Sequence, residues 1–248
     1  MSRPRQVGID RVVKLSWIDV AASLSQGGMA PSAVKKALQT ELAGSFRSTR
    51  TDVRGSIDKT ITILMKIWVA PRSELSELQQ QGLQILSGLP RRNTCVVHWG
   101  MLSAAYPFWF DVAIQTGRLL KLQGTAAATQ VQRRIREQYG ERETVSRRVR
   151  YVLRSFVDWD LVRDSETAGV YVPGTISRVE DARVTAWLAE VILRSQDLSA
   201  IPVNGVFDSP GLFPFTFHPY SAREIVDASS RLDVIRQGLD SDLLVLRS

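Results

Sequence analysis

A chain of 248 residues with 44% hydrophobic side chains is long enough to bury a substantial core, and 23% of charged residues is ordinary for a globular protein. Its single cysteine excludes a framework of intramolecular disulfides and favours a reducing compartment, so we expect a cytoplasmic protein. The formal net charge of +7 favours an anionic partner, and the first residues, Met-Ser-Arg-Pro-Arg, lack the apolar core of a signal peptide.

The first region, residues 1–90, is predicted to be helical. After a basic tail over 1–9, apolar residues recur at helical spacing in four stretches: 10–25, 31–44, 51–70 and 73–88. Glycine or proline residues end these stretches, as Pro71 does for the third. Because Ile61 and Ile63 alternate locally, a short strand inside the third stretch is the alternative interpretation.

The central region, residues 91–174, is predicted to combine helices with one hairpin. Helices are expected over four ranges: 94–105, 107–123, 126–139 and about 143–159. Thr125 is the expected N-cap of the third of these helices, and Gly140 is expected to end it. Two short strands, 161–163 and 170–172, then enclose a polar turn and form the hairpin.

The last region, residues 175–248, mixes helices and strands. Its predicted elements are a helix over 178–194, a loop rich in proline, glycine and phenylalanine over 201–218, a short helix near 221–229, and a hairpin of 231–237 with 242–247 that turns at Gly238 and Asp240. Phe213, Phe215 and Phe217 alternate within the loop, which favours a short buried strand. An exposed patch for a partner is the alternative interpretation of these rings.

The excess positive charge lies in one segment, residues 118–154. This segment has ten basic and three acidic side chains, a surplus of seven, so the remaining 211 residues balance with 22 of each sign. Nine of the ten basic residues are arginine, but the whole chain has 26 arginines and only 6 lysines, so the position of the excess is more informative than its residue type. A basic patch confined to a helical segment is typical of a nucleic-acid-binding protein.

The helix predicted over 143–159 is amphipathic. Its apolar residues form one stripe that predicts a buried back: Val145, Val149, Val152, Leu153 and Phe156. The opposite face carries Arg147, Arg150 and Arg154, spaced i, i+3 and i+7, so they line one side over two turns. A helix of this kind fits the major groove with its first turns nearest the bases, so the candidates for contact with base edges are Thr144, Ser146, Arg147 and Arg150.

Other basic residues of the segment are expected to contact the DNA backbone. Arg154 lies further along the helix and is expected to meet phosphate. The preceding helix would reach the backbone through Arg133, Arg134 and Arg136, as the first helix of a helix-turn-helix does. Arg142, between the two helices, completes the predicted nucleic-acid-binding set.

The order helix, helix, turn, helix, hairpin over about 107–174 resembles the winged-helix DNA-binding superfamily. The resemblance implies a recognition helix at about 143–159 and a wing formed by the hairpin. Winged helices often carry a basic residue at the tip of the wing, whereas this turn carries Asp164 and Glu166, so we expect the wing to stay outside the groove or to touch another protein. The order of a helix followed by a hairpin recurs in the last region, which suggests a second winged-helix-like module.

A second resemblance rests on layout and residue types across about 45–160. A Ser/Thr/Arg-rich stretch over 45–51, an aromatic helix over 105–112 and a helical block ending at 149–156 resemble the BrxA-like small proteins of BREX phage-defence islands. This resemblance implies a cytoplasmic DNA-binding protein without catalytic motifs, and it does not extend to the last region.

Several other kinds of site were considered and are not expected. Cys95 and His98 are three residues apart, but only His218 could join them, so neither a zinc site nor a Cys–His nucleophile is predicted. No glycine-rich phosphate-binding motif occurs in the chain. The 18 uncharged residues between Arg92 and Asp111 are interrupted by polar residues and proline, and they predict a pair of buried helices rather than a membrane span. Four tryptophans are predicted to anchor the core: Trp17, Trp68, Trp109 and Trp159.

Together these patterns predict a mainly α fold with small β-hairpins: a helical N-terminal region (1–90), a central winged helix-turn-helix (91–174) and a C-terminal α+β unit (175–248). The predicted function is non-enzymatic binding of double-stranded DNA, without a cofactor or metal, as a regulator or as a subunit of a DNA-processing or phage-defence assembly. The alternatives are an adaptor whose basic helix docks onto an acidic protein, and an RNA-binding protein that uses Arg47, Arg50 and Arg54.

Overall fold

A computed structural model describes residues 7–44, 52–237 and 241–247. Within these residues helices dominate and the strands form three small sheets, so the predicted fold class, mainly α with small β-hairpins and a C-terminal α+β unit, is confirmed. The predicted roles of Arg47 and Arg50, and of the turn at Gly238 and Asp240, lie outside the described residues, as does the side chain of Arg54.

The N-terminal region is built from helices, as the sequence predicts. These are α1 (Leu15–Gln26), α2 (Pro31–Ala43), α3 (Asp52–Trp68) and α4 (Ser76–Gly88), and a single 3-10 turn over Ser73–Leu75 precedes α4. Because α3 is one continuous helix, the strand alternative at Ile61 and Ile63 is wrong. Both isoleucines lie on its buried side, where they pack into the core.

The central region contains α5 (Cys95–Ala105), α6 (Pro107–Gln123), β1 (Ala126–Ala127), α7 (Ala128–Tyr139), α8 (Glu143–Asp158), β2 (Val162–Asp164) and β3 (Val170–Pro173). Thr125 does not cap α7, because the next two residues pair with Tyr171 and Val170 as a short strand, and Ala127 precedes the helix without a capping side chain. The strands are antiparallel in the order β1-β3-β2. Gly124, in the left-handed conformation with φ of 73°, ends α6 and lets the chain turn into this sheet.

The C-terminal region contains β4 (Ser177–Val179), α9 (Ala182–Ser195), β5 (Ala200–Pro202), α10 (Val203–Phe207), β6 (Phe215–Phe217), α11 (Ala222–Asp227), β7 (Leu232–Gln237) and β8 (Ser241–Leu246). The helix predicted from residue 178 begins at Ala182 instead. Residues 177–179 pair in parallel with β6, and the side chain of Asp181 accepts a hydrogen bond from the backbone of Arg183 to cap α9. Of the three phenylalanines predicted to form a short buried strand, Phe215 is buried in β6, Phe217 lies in the same strand but is half-buried, and Phe213 precedes the strand and is half-buried.

The central and C-terminal regions repeat one arrangement of elements. The first runs α6, β1, α7, α8, β2, β3 with strand order β1-β3-β2, and the second runs α9, β5, α10, α11, β7, β8 with strand order β5-β8-β7. The second copy carries β6 as an insertion between its two short helices. Their charges differ, because residues 107–173 have eleven basic and eight acidic side chains, whereas residues 182–246 have five basic and eight acidic ones. The two units thus share a topology but differ in their net charge.

The core is continuous through all three regions and is rich in aromatic rings. Trp99 on α5 lies at its centre, with ring centroids 4.9 Å from Phe156 on α8 and 5.3 Å from Trp109 on α6. Its indole N–H donates to the carbonyl of Gly211 in the C-terminal region at 3.1 Å. The four tryptophans predicted as core anchors are all buried. No helix within the described ranges is long and apolar enough to cross a membrane.

The segment before α1 is held against α8, and this corrects the prediction that the first helix begins at residue 10. Ile9 and Val13 are fully buried. The backbone N–H of Val13 donates to Ser155 Oγ at 2.9 Å, and the indole N–H of Trp159 donates to the Val13 carbonyl at 2.8 Å. The Trp159 bond takes up a carbonyl that a helix beginning at residue 10 would pair internally, and the Ser155 bond holds the N–H of the same residue, so α1 begins only at Leu15.

Candidate nucleic-acid interface

Helix α8 is positioned by its apolar back. The predicted stripe is buried, with each side chain at most 1% exposed: Val145, Val149, Val152, Leu153 and Phe156. Burying five such side chains fixes the rotation of the helix about its axis, because each contributes roughly 1.5–3 kcal/mol when removed from water. The opposite side of α8 is therefore directed away from the core.

The exposed face carries most of the residues predicted to read DNA. Thr144, Arg147, Arg150 and Arg154 are all exposed. Ser146 is not, so its predicted role at base edges is wrong: it is 5% exposed, and Gln132 of α7 donates to its carbonyl at 3.3 Å. Helix α7 covers this flank of α8, so the buried part of the helix is wider than its apolar stripe.

The three arginines of α7 have different surroundings. Arg133 is exposed, with its Nε 4.0 Å from Glu137 one turn further along the helix. Arg136 is half-buried and lies 3.2 Å from Glu141 in the turn between the helices. Arg134 is half-buried, and its side chain has no ion-pair partner among the residues that the structure describes.

Arg142 occupies the N-cap position of α8. Its guanidinium donates to the carbonyl of Tyr139, the last residue of α7, at 3.1 Å. Tyr139 in turn donates through its hydroxyl to the buried carboxylate of Asp111 on α6 at 2.6 Å. This chain of contacts fixes the turn between α7 and α8, so Arg142 has a positioning role beside its predicted contact with DNA.

Two of the arginines on the exposed face of α8 form ion pairs with carboxylates of the chain itself. Arg150 Nη2 lies 3.1 Å from Glu143 Oε1, two turns earlier on the helix. Arg154 Nη1 donates to both oxygens of Asp164, at 2.9 Å and 2.8 Å. The Asp164 carboxylate raises the pKa of Arg154 still further, so this side chain stays cationic at any relevant pH.

The sequence suggested that Asp164 lies at the tip of the wing, but the structure places it elsewhere. It is the last residue of β2, paired with Tyr171 of β3, and its side chain points toward α8. The tip is formed by the following residues, where Glu166 is exposed. The expected repulsion between wing and phosphate therefore falls on Glu166 alone.

The base of the wing is held by a second ion pair. Arg163 donates to both oxygens of Asp160, at 2.9 Å and 3.1 Å, and Thr175 donates to the same carboxylate at 2.5 Å. The Arg163 hydrogen bond, followed by that of Thr175, lowers the pKa of Asp160 to about 2. Arg163, on the first strand of the wing, is therefore paired with the connection between α8 and β2 although its side chain is exposed.

Arg148 was absent from the predicted set, yet it belongs with the cations of this surface. It is half-buried beside the apolar stripe, and neither it nor Arg147 has a side-chain partner in the described part of the chain. In the sequence Arg148 is marked only by its position next to Arg147. It falls outside the spacing that places Arg147, Arg150 and Arg154 on one side of the helix, so that pattern does not select it. The unpaired positive charge of α8 is thus concentrated at Arg147 and Arg148, in the first half of the helix.

Cys95 and His98 do not form a reactive pair. Burial raises the pKa of the Cys95 thiol to about 12, which keeps it protonated. His98 is fully buried, its Nε2 lies 3.4 Å from Asp19 Oδ1, and its ring meets the edge of Trp68. Across the described ranges, no three side chains of His, Cys, Asp or Glu lie close enough to share a metal ion.

Comparisons with models of protein families, with curated proteins and with solved structures return no match to this chain.

Proposed function

We propose that this chain binds double-stranded DNA through the exposed face of α8, without catalysing a reaction. The observation that carries the proposal is the coincidence of two independent features. The whole positive surplus of the chain lies in residues 118–154, and this segment supplies two helices that are followed by a hairpin, an order of elements that resembles a winged helix. The C-terminal unit has the same topology but no positive surplus, so the surplus does not follow from the topology itself.

The geometry of α8 supports insertion into the major groove. Its exposed residues run from Thr144 to Arg154, about 15 Å along the axis at 1.5 Å per residue. A major groove about 12 Å wide admits one α-helix, whose first turns come nearest the bases. Arg147, which has no carboxylate partner in the described chain, is the strongest candidate for a paired contact with guanine.

The remaining arginines are proposed to contact phosphate. Arg133 and Arg134 of α7, with Arg148 of α8, would bind the backbone on either side of the groove, because such contacts need charge but not a particular base. With this function the chain would act in the cytoplasm as a regulator, or as a subunit of a DNA-processing or phage-defence assembly, the role that the resemblance to BrxA-like proteins implies.

A titration of the purified protein with duplex DNA at several salt concentrations tests the proposal. About five phosphate contacts would give a slope of log affinity against log salt near −4 to −5, because each contact releases counterions. Arg147→Ala should weaken binding to a preferred sequence by about 1–3 kcal/mol, whereas Arg134→Ala should weaken binding equally on all sequences.

Arg223→Ala is the matched control. Arg223 is an exposed arginine on α11, the helix of the C-terminal unit that corresponds to α8, and its loss should leave affinity unchanged. Affinity that does not depend on salt would refute the proposal, as would equal losses from Arg147→Ala and Arg223→Ala. An RNA duplex is titrated in parallel, and tighter binding to RNA than to DNA would replace the DNA proposal with the RNA alternative.

A further inference from the structure

The pair Arg154–Asp164 joins the proposed reading helix to the wing. Both Asp164 oxygens lie within 2.9 Å of a single Arg154 nitrogen, so the carboxylate is bound where a phosphate oxygen would otherwise contact this guanidinium. We infer that Asp164 is an internal substitute for a DNA phosphate: it holds Arg154 in the free protein, and DNA must exchange it for a backbone phosphate when it binds. This inference rests on the proposed function.

The exchange is energetically accessible because the pair is open to water. The Arg154 and Asp164 side chains are 49% and 54% exposed. Exposed pairs of this kind contribute roughly 0–1 kcal/mol, since water and salt screen them. A phosphate can therefore displace Asp164 at small cost, whereas a buried carboxylate would keep the arginine.

Opening the pair does not release the wing. The wing is also held where the Gly169 carbonyl accepts from the backbone N–H of Ala128, the first residue of α7, at 2.8 Å. The pairing of Ala126 with Tyr171 continues this attachment into the sheet. The exchange at Arg154 therefore changes the charge presented to DNA without unfolding the hairpin.

A second ion pair of the same kind occurs at Arg150, one turn before Arg154 on the helix. Glu143 holds Arg150 at 3.1 Å, with side chains 78% and 57% exposed. Arg147, which precedes the two paired arginines on the helix, has no carboxylate partner in the described chain. The exposed face thus offers one cation that binds directly and two that bind only after an exchange, so the two carboxylates lower the affinity for any phosphate backbone.

The test compares two exposed wing carboxylates, one that is paired with Arg154 and one that is not. Asp164→Asn removes the carboxylate that holds Arg154, and Glu166→Gln removes an exposed carboxylate of the tip that has no side-chain partner in the described chain. Asp164→Asn should tighten DNA binding by up to about fivefold, the equivalent of one surface ion pair, and this gain should shrink as the salt concentration rises, because salt screens the ion pair that DNA must open in the wild type. Glu166→Gln should change affinity by less than twofold at every salt concentration.

Arg154→Ala decides whether the gain acts through the arginine. In the Arg154→Ala background, Asp164→Asn should change affinity no more than Glu166→Gln does. A gain that persists without Arg154, or equal gains from the two wing variants, would overturn the exchange while leaving DNA binding intact. Wild-type protein that does not bind duplex DNA at any salt concentration would overturn the proposed function and this inference together. Thermal unfolding confirms that each variant is folded, and Asp164→Ala serves as the second variant at this position.

Discussion

Gly100 tests a close contact between the central and C-terminal regions. It lies in the middle of α5, where a Cβ would be 2.2 Å from Cζ3 and 2.8 Å from Cη2 of Trp187 on α9, and 3.0 Å from Leu188 Cδ2. The Trp187 ring cannot turn aside freely, because it is 2% exposed and its indole N–H donates to the Leu78 carbonyl at 2.9 Å. Gly100→Ala therefore forces the two helices apart or breaks this hydrogen bond.

The expected size follows from two opposing effects. Alanine is favoured over glycine inside a helix by about 0.8–1.0 kcal/mol. Overpacking a core costs about 1–3 kcal/mol and sometimes more. A contact at 2.2 Å is far shorter than the ordinary carbon–carbon separation of about 3.5–4.0 Å, so we expect a cost at the upper end of this energy range. The net loss in the free energy of unfolding should be about 2 kcal/mol or more.

Urea unfolding at equilibrium measures this loss. The matched control is Gly88→Ala at the end of α4, where an added Cβ meets nothing within 4 Å, and it should be neutral or slightly stabilising. If Gly100→Ala unfolds at the same urea concentration as Gly88→Ala, the packing of α5 against α9 is not as close as described.

Two further predictions concern titratable groups whose pKa is shifted by burial, the half-buried Cys95 and the fully buried His98. Because burial raises the Cys95 pKa to about 12, iodoacetamide at pH 8.5 should label Cys95 far more slowly in folded than in denatured protein, and stability should fall as the pH rises above about 8.5, where the unfolded thiol ionises. Labelling of the native protein at the rate of a free thiol would contradict this. Burial lowers the pKa of His98, an effect that the Asp19 carboxylate opposes only in part, so the unfolded chain binds a proton near pH 6.5 while the folded chain does not. The free energy of unfolding should therefore fall as the pH drops below about 6.5. Urea unfolding at pH 7.5 and pH 5 should show a smaller fall for His98→Phe than for the wild type. An equal fall in the two proteins would exclude His98 as the source of the pH dependence.

The sequence predicted those features that depend on local periodicity. Helix α8, expected over 143–159, spans Glu143–Asp158, because its apolar spacing is helical and the burial of Val149 and its neighbours follows from that spacing. The hairpin was also predictable, since a polar turn separates two short apolar stretches.

Features that depend on distant parts of the chain were not predictable in this way. Periodicity places an apolar stripe but does not say how far a neighbouring helix overlaps it, so the burial of Ser146 under α7 was missed. The partner of Arg154 was missed because Asp164 was assigned to the turn, whereas the register of β2 with β3 directs its carboxylate back to α8. The parallel pairing of β4 with β6 likewise joins residues nearly forty positions apart, beyond the reach of any local pattern.

The attachment of Val13 to α8 has a consequence for dissecting the protein. A fragment that begins at the start of the central region would contain every basic residue of 118–154, yet it would leave the Trp159 indole N–H and the Ser155 hydroxyl without the backbone groups they bind. It would also uncover the apolar surface that Ile9 and Val13 shield. The smallest fragment that keeps α8 in its native setting therefore includes residues 9–14, joined to the chain or supplied as a separate peptide.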